Sequence, residues 1–252
     1  MDTLAGAHRT VVDRDIPYLD HDEQTFTLDT YRSEERTESP AILYIHGGAW
    51  MVGSKGQFSR YALEFADRGY VGVNPDYRLA PQVTVWEMVA DIRESIAWTR
   101  EHADELGVDP DRIALAGHSS GAHLAALTAL TLPEDEAVQA VLGFSGNYDL
   151  RFPEADIFPR LVDAEDLDSA LAEASPITMV DGECPPTFLA HAEDDGTVPV
   201  SQSDDFRDAL ESHDQSVDYF RAAEGGHVFL YDDTGWYEQT VERMADFLDT
   251  HL

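Results

Sequence analysis

Residues 112–130, RIALAGHSSGAHLAALTAL, decide the fold, because they join two hydrophobic patterns at a pair of serines. The first seven residues form an apolar run with the length of a buried strand. From Gly121 onward the residues are mostly alanine and leucine, and they predict an apolar helix. Ser119 and Ser120 lie at the joint between two glycines. The pattern predicts a strand, a tight turn and a helix in that order.

The rest of the chain alternates strand and helix patterns in the same way. Segments 9–19 and 24–32 alternate polar and apolar residues, and they predict an antiparallel strand pair. Further strands are predicted at 41–48, 70–77, 137–146, 186–195 and 217–225, and further helices at 57–69, 84–107, 201–213 and 240–252. Strands that alternate with helices indicate an α/β fold with a mostly parallel central sheet and helices on both faces.

The domain organisation follows from length and from the absence of repeats and linkers. A chain of 252 residues suits one sizeable α/β domain, so we predict a single domain over 1–252. Segment 150–183 is acidic, contains prolines and breaks the alternation. We expect it to form a small cap or lid over the C-terminal edge of the sheet, where ligands bind in such folds and where the turn at 117–121 falls.

The charge of the chain is strongly negative, with 16 basic against 50 acidic residues and a net charge of −34. Such a field repels nucleic acids and anionic membranes, so we expect neither as a partner. No segment reaches the roughly 18 apolar residues of a membrane span, and no secretory signal pattern is present, so we expect a cytoplasmic protein, monomeric or homodimeric. The acidic composition resembles that of proteins from salt-loving archaea.

The sequence GHSSG at 117–121 fits the pattern G-x-S-x-G. A serine in a tight strand-to-helix turn is held in a strained conformation, and glycines on either side remove side chains that would clash. The spacing makes Ser119 the candidate nucleophile and gives Ser120 a backbone N–H at the start of the helix, where negative charge is stabilised. The alternative is an ordinary turn rich in glycine and serine. The strand before it and the helix after it favour the catalytic interpretation.

A serine hydroxyl needs a base, and the base needs a carboxylate that orients it. In this kind of fold the chain order is serine, acid, histidine. The sequence EGGHVF after the last predicted strand supplies His227 as general base, the alternative being a loop histidine that only packs. The sequence HAEDDGTVP after an earlier strand offers Glu193, Asp194 and Asp195. The residues alone leave these three acids open.

A third element, HGGAW at 46–50, follows the predicted strand AILYI. Acyl-group hydrolysis passes through an oxyanion, and backbone N–H groups of such a loop can bind it. The glycines could also form a simple turn, but the serine turn at 117–121 (the elbow), the acids, the histidine and this loop occur together in the expected order.

The other histidines have structural interpretations, and we expect neither a metal ion nor a cofactor. His118 and His123 flank the elbow at a spacing that does not suit metal ligands on a helix. His46 and His191 end strands, and we expect them to bond to neighbouring backbone. The remaining histidines lie in polar sequence and are expected at the surface: His8, His21, His102, His213 and His251.

Seven motifs together resemble the α/β-hydrolase superfamily: YIHGGAWMVGSK, VNPDYRLAP, GHSSGAHLA, FSGNYDL, ASPI, HAEDDGTVP and GGHVF. More narrowly they are similar to small esterases of the hormone-sensitive-lipase-like, feruloyl-esterase-like and kynurenine-formamidase-like groups. The likeness runs from about Tyr18 to the C-terminus. It implies an α/β-hydrolase fold that needs no cofactor.

The resemblance also assigns roles to individual residues. It implies Ser119 as nucleophile and His227 as general base. The carboxylate of the family stands four residues after a histidine and four before a proline, which is Asp195, with Asp194 as the fallback. The implied oxyanion hole consists of the backbone N–H groups of Gly48, Ala49 and Ser120.

One departure from the pattern concerns the oxyanion loop. Where the hormone-sensitive-lipase-like group has a third glycine, this chain has Ala49 followed by Trp50. A backbone donor survives this change, since alanine keeps its N–H. Few residues precede His46, so we expect no N-terminal helical cap and an open cleft, covered at most by segment 150–183.

Together, the motifs and the family resemblance predict a serine hydrolase that cleaves a small carboxylic ester through an acyl-enzyme intermediate. The first alternative is an arylformamidase that cleaves the amide of N-formylkynurenine, because its triad and oxyanion loop would look alike. The second alternative is a non-catalytic binding protein on the same scaffold, since a fold does not fix a function.

Overall fold

The computed structural model describes residues 9–35, 38–152, 158–231 and 235–252. Its centre is a sheet of eight strands: β1 Thr10–His21, β2 Gln24–Ser33, β3 Ser39–Ile45, β4 Val71–Pro75, β5 Val108–His118, β6 Ala140–Phe144, β7 Thr187–Ala192 and β8 Val217–Ala222. The strand order across the sheet is β1-β2-β4-β3-β5-β6-β7-β8. Strands β1 and β2 pair antiparallel, as do β2 and β4, whereas the pairs from β4 to β8 are parallel. The predicted N-terminal strand pair and parallel sheet are confirmed.

The α-helices lie between and after these strands: α1 Ser59–Asp67, α2 Val85–Glu101, α3 Ala103–Leu106, α4 Ser120–Thr131, α5 Leu167–Glu173, α6 Ser201–Ser212 and α7 Trp236–His251. Short 3-10 helices occur at Lys55–Phe58, Glu134–Glu136, Phe158–Arg160, Pro176–Met179 and Gly226–Tyr231. Within the described ranges, no helix is both long enough and apolar enough to span a membrane.

The sheet is buried on both faces, because successive residues of a strand point to opposite sides and helices cover each side. On β3, Leu43 and Ile45 belong to the cluster that packs under α2 and α4. Ile42 and Tyr44 belong to the cluster under α1 and α7. All four residues are fully buried. This explains why the central strands are continuous apolar runs without polar alternation.

Several boundaries differ from the sequence predictions. The helix predicted over 84–107 is divided at His102, which has φ −99° and ψ 15°, into α2 and α3. The His102 ring stacks on Trp98, and its Nδ1 lies 2.9 Å from the Trp98 carbonyl oxygen. A side chain that bonds to the backbone of the preceding turn competes with continuation of the helix. The strand before the elbow is also longer than the apolar run, since β5 begins at Val108.

Segment 150–183 contains α5 and two 3-10 helices, and it contacts the loops at the C-terminal edge of the sheet. The ring of Phe158 packs edge-on against Trp50, with 5.7 Å between the ring centroids. The N–H of Val85 donates to the Leu161 carbonyl at 2.8 Å, which attaches the segment to the start of α2. Residues 153–157 lie outside the described residues. The cap over the cleft stays a prediction, as does the single-domain organisation.

Candidate active site

The turn between β5 and α4 has the strained geometry that the sequence predicts. Ser119 has φ 56° and ψ −122°, a conformation that is unfavourable for a residue with a side chain. A Cβ at Gly117 would lie 2.2 Å from the carbonyl oxygen of Gly121, and a Cβ at Gly121 would lie 2.1 Å from that of Ile45. Such distances exclude any side chain, so the elbow requires glycine at both positions.

His227 connects the elbow to an acid. It lies in the 3-10 helix after β8, and its Nε2 is 3.0 Å from Ser119 Oγ. Its Nδ1 is 2.8 Å from Asp195 Oδ2. Because a carboxylate only accepts, Nδ1 carries the proton, and Nε2 is free to accept the proton of the serine hydroxyl. The three predicted residues therefore form one hydrogen-bonded chain in the tautomer that a general base requires.

Asp195 is held as a charged carboxylate by four donors. The N–H groups of Thr197 and Val198 donate to Oδ1 at 2.8 and 2.9 Å. The imidazoles of His227 and His191 donate to Oδ2 at 2.8 and 3.1 Å. Burial alone would raise the pKa of this carboxyl, but the hydrogen bonds from the two histidines and the two backbone groups outweigh it and hold the pKa of Asp195 well below its usual range.

The other two acids of this strand end have different partners. Asp194 is exposed, and its Oδ1 accepts from the Gly226 N–H at 2.8 Å, which fastens the loop that carries His227. Glu193 faces Arg221, with 3.5 Å between Oε1 and Nε. Of the three acids that the sequence leaves open, Asp195 is the one bonded to the imidazole.

The predicted oxyanion loop follows β3 and lies beside the elbow, because β3 and β5 are neighbours in the sheet. Three consecutive residues have positive φ: Gly48 at 130°, Ala49 at 53° and Trp50 at 60°. A Cβ at Gly48 would lie 1.9 Å from the Val52 carbonyl oxygen, so this position also requires glycine. The third predicted donor, Ser120, opens α4, and the first N–H groups of a helix have no partner within the helix.

His191 has a role that sequence reasoning missed in part. Its Nε2 lies 3.0 Å from the Val198 carbonyl oxygen, as expected for a backbone contact, but also 3.1 Å from Asp195 Oδ2. Both partners are acceptors, so Nε2 carries the proton, and Nδ1 accepts from the Ser203 hydroxyl at 2.8 Å. The ring is fully buried. The only indication of this contact in the sequence is that His191 lies four residues before Asp195.

His118 also contacts the triad, which its place beside the elbow did not reveal. Its Nε2 donates to the His227 carbonyl oxygen at 2.8 Å, and the centroids of the two rings are 4.7 Å apart. Burial, together with the nearby imidazole of His227, lowers the pKa of His118 to about 3. At neutral pH the ring is therefore uncharged and supports the backbone of the loop that carries His227.

Two cavities lie beside the N-terminal strand pair, and the smaller one also borders His46, the first residue of the predicted oxyanion loop. They have volumes of about 630 and 260 Å³ and share Gln24, Phe26, Tyr77 and Leu79. As far as the described residues go, neither lining includes Ser119, Asp195 or His227. Among all the residues that the structure describes, no group of three or more His, Cys, Asp and Glu side chains could hold a metal ion.

Comparison with known proteins identifies the family of the chain. The model of the BD-FAE family matches residues 28–210, which is most of the chain. The chain belongs to the BD-FAE family. Esterase LipC of Mycobacterium tuberculosis is 33% identical, over 90% of this chain and 63% of its own length. Esterase LipQ of the same organism is 32% identical, over 97% of this chain and 64% of its own length. This BD-FAE chain thus spans less than two thirds of these relatives.

Comparison with solved structures supports the predicted fold. Esterase 2 of Thermogutta terrifontis, phosphoramylated by tabun, matches with a TM-score of 0.84 and 28% identity, over 95% of this chain and 94% of that one. The same esterase with butyrate bound matches with a TM-score of 0.80. The predicted α/β-hydrolase fold and the resemblance to small esterases are therefore confirmed.

Proposed function

We propose that this BD-FAE member is a serine hydrolase that cleaves small carboxylic esters, with Ser119 as nucleophile, His227 as general base and Asp195 as the orienting carboxylate. The observation that carries the proposal is the continuous hydrogen-bonded chain from Ser119 Oγ through the imidazole to Asp195. It begins at the strained turn in which Ser119 has φ 56° and ψ −122°, the strand-to-helix geometry that presents a nucleophile at the top of an α/β-hydrolase sheet.

The first half of the reaction forms an acyl-enzyme. Ser119 Oγ attacks the ester carbonyl carbon while its proton passes to Nε2 of His227, and Asp195 stabilises the resulting imidazolium. The electron pair of the carbonyl moves onto oxygen, where the N–H groups of Gly48, Ala49 and Ser120 bind it. As the tetrahedral intermediate collapses, the bond to the leaving oxygen breaks. His227 returns the proton to that oxygen, and the alcohol departs.

The second half repeats the proton transfers with water. His227 takes a proton from a water molecule as it attacks the acyl carbon, and the same backbone donors bind the second oxyanion. Collapse breaks the bond to Ser119 Oγ, which recovers its proton from the imidazolium. The carboxylic acid is released, and the resting tautomer of the triad is restored.

The relatives support an ester substrate. The two mycobacterial relatives carry the name esterase. The Thermogutta esterase is phosphoramylated by tabun, and an organophosphate of this type reacts with an activated nucleophile. The bound butyrate of that esterase supports a short acyl chain for this protein as well.

Comparison of an ester with a formamide separates this proposal from the arylformamidase alternative. We expect kcat/KM for p-nitrophenyl butyrate to exceed that for N-formylkynurenine by at least tenfold. Ser119→Ala should lower kcat by about four orders of magnitude. Ser120→Ala is the matched control and should keep most of the activity, because Ser120 contributes only its backbone N–H. A preference for N-formylkynurenine would favour the formamidase. Activity in the Ser119→Ala variant would overturn the triad assignment.

We further propose that the protein works in the cytoplasm of a cell with a high internal salt concentration. The support is the net charge of −34, because a concentrated salt solution screens the self-repulsion of such a charge. Fractionation of the source cells, followed by immunodetection, tests the location. Recovery with the membrane or the culture medium would contradict it.

A further inference from the structure

The oxyanion loop is attached to helix α4 by a buried contact between two side chains. The indole Nε1 of Trp50 donates to Nδ1 of His123 at 3.1 Å, and the two rings meet edge-on with 5.3 Å between centroids. Trp50 is 2% exposed and His123 is fully buried. Because an indole N–H can only donate, Nδ1 of the imidazole must be unprotonated.

The second nitrogen of the same imidazole reaches segment 150–183. His123 Nε2 lies 2.8 Å from the carbonyl oxygen of Ala174, so it carries the proton and donates. Phe158 of this segment packs edge-on against Trp50. Burial lowers the pKa of His123 to about 4, and the ring stays neutral at neutral pH with one donor and one acceptor. The ring therefore forms a hydrogen bond to the oxyanion loop and another to segment 150–183 at the same time.

The loop needs such an attachment because its backbone is strained. Ala49 and Trp50 both lie in the left-handed region, with φ 53° and 60°. Residues with a Cβ rarely occupy that region, and they remain there only when the surroundings fix them. The Trp50 carbonyl accepts from the Ala80 N–H at 2.9 Å, which fixes the backbone, and the bond to His123 fixes the indole.

We propose that His123 is a positioning residue that holds Trp50, and through it the N–H groups of Gly48 and Ala49, in the orientation that binds the oxyanion. This inference rests on the proposed hydrolase function. Its physical basis is that donors stabilise a developing charge only when they are oriented before the reaction. When the side-chain contact that fixes the loop is lost, part of the activation free energy is used to orient the N–H donors each time the transition state forms.

Two substitutions of His123 separate its two contacts. In His123→Asn, Oδ1 replaces Nδ1 as acceptor for Trp50, whereas the contact to Ala174 is lost. In His123→Gln, Nε2 can still donate to Ala174, but the acceptor for Trp50 is lost. With p-nitrophenyl butyrate we expect the Gln variant to lower kcat about tenfold to thirtyfold with KM within about twofold, which is less than the loss of a whole oxyanion donor. The Asn variant should stay within about threefold of wild type.

Trp50→Phe supplies an independent measurement, since it keeps an aromatic ring and removes only the indole N–H and the smaller ring. It should lower kcat as much as His123→Gln, and the double variant should be no worse than either single variant, because both remove the same bond. The inhibition constant of a trifluoromethyl ketone, which forms a tetrahedral adduct, should rise in the same proportion as kcat falls. A role in packing alone would not produce this correspondence.

The matched control is His102→Gln, because the His102 ring also contacts a tryptophan, Trp98, but at the C-terminal end of α2. It should leave kcat unchanged. Equal losses in the Asn and Gln variants of His123, or multiplied losses in the double variant, would overturn the inference. If the Gln variant does not fold, unchanged kcat in Trp50→Phe would overturn it as well. Ser119→Ala, measured in parallel, separates failure of the proposed function from failure of this inference. Full activity in Ser119→Ala refutes the proposed function. Normal kcat in His123→Gln and Trp50→Phe refutes only the role of His123.

Discussion

Acidification should destabilise the fold strongly between pH 6.5 and 4.5, because uncharged imidazoles, among them those of His118 and His123, are buried at the site. His118 is 3% exposed and His123 is fully buried. Burial lowers their pKa values to about 3 and about 4. In the unfolded chain a histidine has a pKa of about 6.5. Between these values the unfolded chain binds protons that the folded chain does not, so the free energy of unfolding falls as the pH falls.

The size of the loss follows from the two pKa differences. The contribution of each ring is fully present above about pH 6.5 and is lost as the pH falls towards the pKa of the folded state. The slope is about 1.4 kcal/mol per pH unit and per histidine, so each ring costs about 2.5 kcal/mol at pH 4.5. Both rings are almost fully buried, so solvent screening does not reduce this value. The total of about 5 kcal/mol is comparable to the entire stability of many domains.

Urea titrations at fixed potassium chloride concentration, from pH 7 to pH 4.5, measure this effect. Partial protonation of the many carboxylates also changes the free energy of unfolding over this pH range. The decisive quantity is therefore the difference between variants. His123→Asn removes one of these titrating rings, and its loss of stability between the two pH values should be about 2.5 kcal/mol smaller than that of wild type. His213→Gln, at an exposed position, is the matched control and should behave as wild type does. Equal pH dependence of His123→Asn and wild type would refute the reasoning.

Three further outcomes are expected. Asp195→Asn should lower kcat about a thousandfold or more because it disturbs the tautomer of His227, whereas Asp194→Asn should cost less than about tenfold; equal losses in a steady-state ester assay would leave the acid unassigned. Ala49→Gly should keep kcat within about threefold in the same assay, since the donor is a backbone N–H and glycine accepts positive φ; a large loss would mean that the side chain matters. Tm should rise between 0.1 and 2 M potassium chloride, because a charge of −34 on a surface of 11,652 Å² repels itself and salt screens it; a flat or falling Tm would contradict the proposed high-salt environment.

Local patterns were sufficient to predict the elbow and most of the fold. The strand, the serine and the helix at 112–130 follow from a change of hydrophobic period within one short stretch, and the flanking glycines are required by close backbone contacts. His227 could be predicted because it follows the last strand in a glycine-rich loop. The division of the helix at His102 could not, because it depends on a side-chain contact within a continuous apolar periodicity.

The support of the site was not predictable because its contacts are distant in the sequence. The bond between His123 and Trp50 joins residues 73 positions apart, and that between His118 and His227 joins residues 109 apart. The choice of Asp195 over Asp194 depends on how the chain turns after β7. Adjacent residues point in different directions there, so composition gave no basis for the choice. The resemblance to a family pointed to Asp195 where the residues alone left three acids open.

Labelling with a fluorophosphonate probe, followed by peptide mass spectrometry, tests the central claim most directly. The probe phosphonylates an activated serine, so we expect one adduct, on the peptide that contains Ser119. Ser119→Ala should abolish labelling, and Ser120→Ala should retain it. A folded wild-type protein that takes up no probe, or an adduct that persists in Ser119→Ala, would contradict the assignment of Ser119 as the nucleophile.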